Sequence, residues 1–213
     1  KLNNILKAKG EIFKTPFNFD LLKDFDTKKK EIIISSDKLR LKILNEYSNL
    51  TDEIIQGSSL ISVLNFKTQT KYEIEKNLIS FESDEKTVKN PNFNYRGKLF
   101  TKPFNLEVGI VLKKYDLSKL LNLDSILSEL IKSQILLNNN ISANTSIAIK
   151  ENKNSQLFNS SLVNFNITNG AINFNKSKFT NNKIGSLEID NSKLSYTDND
   201  LVLNTDILIK IKN

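Results

Sequence analysis

Histidine, cysteine, methionine and tryptophan do not occur anywhere in this 213-residue chain. Without Cys there is no disulfide, and without Cys or His the usual zinc, copper and iron–sulfur ligand sets are gone. The same two absences remove the common nucleophile–base arrangements of covalent catalysis. Arginine is nearly missing too: Arg40 and Arg96 stand alone among many lysines. The net charge is +7 and the isoelectric point about 9.3. That charge is Lys spread along the whole chain, with Lys28-Lys29-Lys30 as its densest cluster, read as a loop between strands. Guanidinium is the better phosphate fork, so the pattern reads as a solvated lysine surface and not as a specific nucleic-acid site.

Long apolar runs are also lacking. The greasiest stretch, Leu117 to Leu137, is broken by Ser, Lys, Asn, Asp and Glu, and a membrane-spanning helix needs roughly eighteen or more apolar residues in a row. The chain starts at Lys1 and holds no Met. It therefore reads as a piece of a longer protein, whose leader or anchor is not legible in it.

Carboxylates remain as candidate chemistry: Asp24, Asp26, Asp52, Glu53, Asp84, Glu85, Asp198 and Asp200. They lie in polar turns beside Lys or Asn, without the aromatic platform a paired-carboxylate glycosidase usually carries. Asp198-Asn199-Asp200 is rich in oxygen but lacks the remaining ligand spacing of a calcium loop. The expectation is a non-enzymatic protein with no catalytic residue, no metal and no cofactor.

What is present is alternation with a period of two, the signature of half-buried strands. It runs through Lys38-Leu39-Arg40-Leu41-Lys42-Ile43, through Phe17, Phe19 and Leu21, and through Val108, Ile110 and Leu112. It returns at Leu187 and Ile189, and at Leu201, Leu203, Thr205, Ile207, Ile209 and Ile211. Asn169-Gly170 between Val163–Ile167 and Ala171–Phe174 predicts a two-residue hairpin. Asn182 to Gly185, Asp190-Asn191-Ser192 and Asp198-Asn199-Asp200 read as further turns, so that an antiparallel meander fills the chain from about Ser155 onward. One stretch differs. Leu117, Leu120, Leu121, Leu127, Leu130 and Ile131 recur at helical steps and predict an amphipathic helix over about 117–134, capping one end of the sheet.

One phrase is written twice. GEIFKTPFNFD at 10–20 returns as GKLFTKPFNLE at 97–107. The physical reading is a repeated hairpin stem. Gly10 and Gly97 permit a bulge, Pro16 and Pro103 open the returning strand, and Phe17 and Phe104 anchor it on the apolar side. This predicts two units, 1–90 and 91–213, the second holding the inserted helix.

The phrase, the β-rich stretch after it, the helix, and the closing run of Asn169-Gly170-Ala171-Ile172-Asn173-Phe174, Ile184-Gly185-Ser186-Leu187-Glu188-Ile189 and Leu201-Val202-Leu203 resemble the AsmA-like family of bacterial envelope proteins. The resemblance covers most of 1–20 and 91–213 and is weaker over 45–90. It implies a mainly β protein built as a long, curved, groove-like antiparallel sheet with an apolar inner face. It further implies a periplasmic location and an inner-membrane anchor outside this segment. The implied role is in moving phospholipid between the inner and outer membranes, with outer-membrane assembly proteins as further partners. On that reading the groove is lined by Leu39, Leu41, Ile43, Val108, Ile110, Leu187, Ile189, Leu201, Leu203, Ile207 and Ile209, which would solvate phospholipid acyl chains by dispersion and water exclusion. No specific nucleic-acid partner is expected. The same alternation also suits a closed β core, as in a structural or adhesive surface protein.

Overall fold

The computed structural model describes residues 3–12, 15–24, 30–63, 66–84, 93–116, 135–153, 157–197 and 200–212. It is mainly β, with fifteen strands in a mostly antiparallel sheet. In chain order they are β1 (Asn3–Ile12), β2 (Thr15–Asp24), β3 (Lys30–Ser36), β4 (Leu41–Asn49), β5 (Ile54–Val63), β6 (Phe66–Glu75) and β7 (Leu78–Ser83). There follow β8 (Phe93–Thr101), β9 (Phe104–Leu112), β10 (Ala143–Ile149), β11 (Ser160–Thr168), β12 (Ala171–Phe174), β13 (Ser177–Asn181), β14 (Gly185–Thr197) and β15 (Asp200–Ile211). Among the described residues the one helical element is a short 3-10 turn, Ile135–Leu137. The helix expected over 117–134 lies outside the described residues.

The chain divides into two compact units, one of residues 1–89 with 98–101, the other of 90–97 with 102–213. In the first, β1 to β7 form an antiparallel meander in which each strand pairs with the next. Gly10 pairs with Phe17 inside an unbroken β1–β2 ladder. The bulge expected at Gly10 is therefore not there, and a Cβ at that position would make only an ordinary contact with Phe19. Leu39 also departs from expectation. It does not belong to a strand but to the turn Asp37–Arg40, closed by the Arg40 N–H donating to the Asp37 carbonyl at 3.1 Å. The alternation of Lys38 to Ile43 ran straight through this turn because Arg40 takes a positive φ of 48°, which reverses the chain without changing the apolar pattern.

The second unit contains a parallel pair, β9 with β10. A parallel pair needs a long crossover between its strands, and here the chain from 113 to 142 supplies it. Beyond β10 the antiparallel order resumes with β11. The hairpin at Asn169-Gly170 is present: both residues have positive φ, 51° and 69°, as a tight two-residue turn requires. Gly170 has a second reason to be glycine, since a Cβ there would lie 2.5 Å from the Asn139 side chain.

Asp190-Asn191-Ser192 is not a turn between strands. β14 runs through it as one 13-residue strand, with a register shift between Asp190 and Lys193 and a φ of 55° at Asn191. The partner side breaks at the same level. β12 and β13 lie in tandem between β11 and β14, interrupted at Asn175-Lys176. Asp190 accepts the Lys176 N–H at 2.7 Å, and the buried Ser177 hydroxyl bonds the Asn164 carbonyl at 3.1 Å. Side chains thus satisfy backbone groups that the irregular ladder leaves open. Asn and Asp serve bulges as readily as turns, which is why the sequence pattern reads as a turn here.

Candidate functional site

Facing partners in a ladder point to the same side of a sheet, so the registers assign every strand residue to a face. In the first unit one face carries three central rows, flanked by Ser36, Leu41 and Val63 on one side and by Ile55, Ile74 and Ile79 on the other. Phe19, Ile34, Ile43, Ile61 and Thr68 form the first, from β2 to β6. Beside it run Leu21, Ile32, Asn45, Ser59, Thr70 and Ser83. The third row is Tyr47, Gly57, Tyr72 and Phe81. The Tyr72 ring lies across Gly57, where a Cβ would come 2.5 Å from the ring. Burial pushes the Tyr72 phenol up, and the neighbouring Tyr47 adds to it. The opposite face is polar, with Lys7, Lys9, Lys42, Glu46, Lys67 and Lys71, relieved by Ile33, Leu44 and Leu60. Gln56 there donates to Glu73 at 2.8 Å.

The apolar face of this unit is only partly covered. Among its described residues the buried hydrophobic side chains are Phe17 and Leu39, at 8% and 5% exposure. The large aliphatic side chains of the first row, Ile34, Ile43 and Ile61, are half-buried. What is buried on this face is short and polar: Thr15, Ser36, Ser59, Thr68 and Thr70. The Ser59 hydroxyl donates to the Asn45 side-chain carbonyl. Short side chains disappear beneath taller neighbours, whereas the tall ones keep their outer surface open.

The second unit has a graded version of the same face. One row crosses six strands as Leu112, Ile149, Ser161, Phe179, Leu187 and Ile209. Another does so as Leu106, Ala143, Ile167, Ile172, Leu194 and Leu203. Along each row burial falls away. Ile149 and Ile172 are 1% exposed and Ile167 3%, while Leu203 is 56% and Ile209 64% exposed. Phe165 and Phe174 pack as a cross-strand pair with ring centroids 5.8 Å apart, and Phe158 meets Phe179 at 5.4 Å. The 3-10 turn sits against β11 and β12, over the dry end.

The eleven sequence-predicted residues can now be placed. Leu41 and Ile43 lie on the apolar face of the first unit, and Leu39 is tucked into the turn beside β4. In the second unit Val108 and Ile110 face the same side as Thr145 and Ile147. Leu187 pairs directly with Ile209, and Ile189 with Ile207, so these four meet in one patch. Leu201 and Leu203 share that face farther along β15. Val108 and Ile110 are separated from the patch by β10, β11 and the β12–β13 tandem. The sequence reading did not single out Ile61, Ile147 or Ile172, although Ile147-Ala148-Ile149 carries the same alternation.

The polar face of the second unit offers two other features. Asn144, Ser146, Asn164 and Asn166 edge a shallow hollow of about 290 Å³. Glu188 lies between Lys178 and Lys210, at 3.0 and 2.6 Å, joining β13, β14 and β15. The Lys210 and Lys178 ammonium groups beside it hold the Glu188 carboxyl below the usual carboxylate range. A carboxyl held low in the folded state adds stability above its unfolded pKa, and that contribution is lost as pH falls through the folded value. Glu188→Gln is therefore expected to lower the thermal midpoint modestly at neutral pH and to converge with the parent chain in acid, which flattens the acid limb. An acid limb identical to that of the parent chain would show that the cluster is fully screened.

Among the described residues the carboxylates considered for catalysis do not converge. Asp52 and Glu53 sit in a turn where the Thr51 hydroxyl accepts the Glu53 and Ile54 N–H groups. Asp84 pairs with Lys71 at 3.1 Å, and Asp200 opens β15. Asp26, Glu85 and Asp198 lie outside the described residues. Among the described residues no cluster of three or more Asp, Glu, His or Cys side chains could hold a metal ion, and no helix is long and apolar enough to cross a membrane. No family model, curated protein or solved structure matches the chain.

Proposed function

We propose that this chain is an AsmA-like segment of the bacterial envelope whose apolar sheet faces bind phospholipid acyl chains in transport between the inner and outer membranes. The observation that carries the reading is the half-covered row of Phe19, Ile34, Ile43 and Ile61 in the first unit. Fully burying an aliphatic or aromatic side chain is worth about 1.5–3 kcal/mol, so each half-covered one leaves on the order of 1 kcal/mol for a ligand to recover. An acyl chain fits this demand, because it needs apolar cover and no hydrogen-bond partner. The polar opposite face suits an aqueous periplasm. A groove requires the sheet to curve about its apolar side. The repeated phrase at 10–20 and 97–107 supports the family assignment. No residue acts chemically on this reading.

A second reading has its own support. The dry end of the second unit, with Ile149, Ile167 and Ile172 at 1–3% exposure, is packed like an ordinary closed core. A structural or adhesive β protein would extend such packing throughout.

The experiment is mass spectrometry of the organic extract from purified protein, repeated on Ile43→Asp and Ile61→Asp. Co-purified phospholipid is expected with the parent chain and is lost from both variants, while Lys42→Ala, on the polar face, keeps it. A folded, lipid-free parent chain that takes up no added phospholipid would select the closed-core reading.

A further inference from the structure

We infer that Lys23 and Lys30 form a phosphate site at one corner of the first unit's apolar face, holding the headgroup phosphate of a phospholipid whose acyl chains lie over Phe19, Ile34 and Ile43. This deepens the acyl-chain reading of the same face and rests on it. The registers carry the row of Tyr47, Gly57, Tyr72 and Phe81 onward through Lys30 to Lys23, and these two lysines stand directly opposite each other across β2 and β3. Among the strand residues that the β1–β7 ladders place on this face, Lys23 and Lys30 are the only charged ones. The opposite face mixes both signs: Lys7 stands opposite Asp20, and Lys71 opposite Glu82. Charge on the apolar side is of one sign and confined to one corner.

Position decides what that corner can do. Lysines that face each other across a ladder, with Cβ atoms about 4.5–5.5 Å apart, repel. An anion set between their ammonium groups relieves the repulsion and meets both charges. The Lys30 ammonium is held over this face, 5.6 Å from the centre of the Tyr47 ring. Tyr47, next in the row, brings an O–H able to donate to a phosphate oxygen. Lysine is a point charge on a long apolar stem, which suits a headgroup at the rim of an apolar surface. From Lys30 the strand runs through Ile32 to Ile34, about 13 Å at the usual rise per residue. Leu21 and Phe19 follow Lys23 in the same way on β2. One molecule can therefore keep its phosphate on the lysines and lay its tails over the half-covered row. A free anion would leave that row bare, and a tail without phosphate would leave the lysines facing each other. The two demands meet in a single ligand that carries both parts.

The test compares phosphatidylglycerol with a diacylglycerol of the same short acyl chains, by titration calorimetry on the whole chain. A lysine near an anionic lipid is worth about fivefold in affinity, so the parent chain is expected to favour phosphatidylglycerol by roughly ten- to thirtyfold. Added salt should narrow that gap. Lys23→Gln combined with Lys30→Gln is expected to bind both lipids equally, with the diacylglycerol affinity and circular dichroism unchanged. Lys42→Gln with Lys67→Gln, on the polar face, should keep the preference. Glycerol phosphate, a headgroup without tails, should not displace phosphatidylglycerol. Equal affinity of the parent chain for the two lipids, or a preference that survives in the Lys23 and Lys30 double variant, overturns the phosphate site and leaves the acyl-chain reading standing. Displacement by glycerol phosphate at matching concentration would make this a site for a free anion and overturns it as well. Uptake of neither lipid overturns both the site and the acyl-chain reading.

Discussion

Replacing Ile172 by Ala is expected to destabilise the second unit by about 2–5 kcal/mol, the range for emptying a buried aliphatic site. Ile209→Ala, five strands from the buried start of its own row, is expected to stay within about 0.5 kcal/mol of the parent chain. Both side chains are isoleucines on one sheet face, so chemistry and secondary structure are matched and only coverage differs: 1% exposure against 64%. Ile149→Ala, also at 1%, should follow Ile172. The measurement is a urea midpoint for each variant in dilute protein, with an unchanged slope confirming that the denatured state is the same. Equal losses at 172 and 209 would mean that β15 is covered in solution.

The alternation was readable because a sheet with one wet face imposes a period of two on its own residues, and no tertiary information is needed to see it. Hence the strands at Leu201–Ile211 and the hairpin at Asn169-Gly170 were legible. Strand ends were less so. Lys38 to Ile43 alternates, yet the first three of these residues belong to a turn, because a single left-handed Arg40 leaves no mark on the apolar pattern. The bulge at Asp190–Lys193 was hidden for a related reason: turn chemistry and bulge chemistry use the same residues. The parallel pairing of β9 with β10 was not legible at all, since some thirty residues separate the two strands and neither names its partner.

For the candidate surface, the sequence could say which residues share a face but not how deeply each lies. Leu187 and Ile209 alternate identically, and only the ladder shows that they touch. Their burial depends on what lies above them, which is a property of distant segments. The same limit separates the two units. The first unit has an apolar row of its own in Phe19, Ile34, Ile43 and Ile61, but the dry patch around Ile149 and Ile172 has no counterpart of similar size among the first unit's described residues. A row that is apolar and half-covered is the feature on which a ligand reading rests, and it emerges only when register and exposure are read together.

Phe17→Ala should cost the first unit about 3–5 kcal/mol, as truncation of a well-buried Phe generally does. Folded domains hold only about 5–15 kcal/mol in total, so this variant should approach the limit of stability. Phe17 is 8% exposed and packs at 6.3 Å from the Phe19 ring. Phe104 holds the matching place in the second copy of the repeated phrase, at the first position of β9, but it is half-buried. Truncating it forfeits only part of the transfer free energy, roughly 1–1.5 kcal/mol. Asn18 and Asn105 alternate onto the polar faces, and Asn18→Ala and Asn105→Ala should change the midpoint little. Two sequence-equivalent phenylalanines would thus differ severalfold in their contribution, because the phrase specifies strand, break and returning strand while the cover over the ring comes from elsewhere in each unit. Denaturant midpoints of the four variants decide the matter. Matching losses at Phe17 and Phe104 would show that the second ring is as well covered as the first and that the two copies are energetically the same unit, whereas a silent Phe17 would mean that the first copy's anchor has been misplaced.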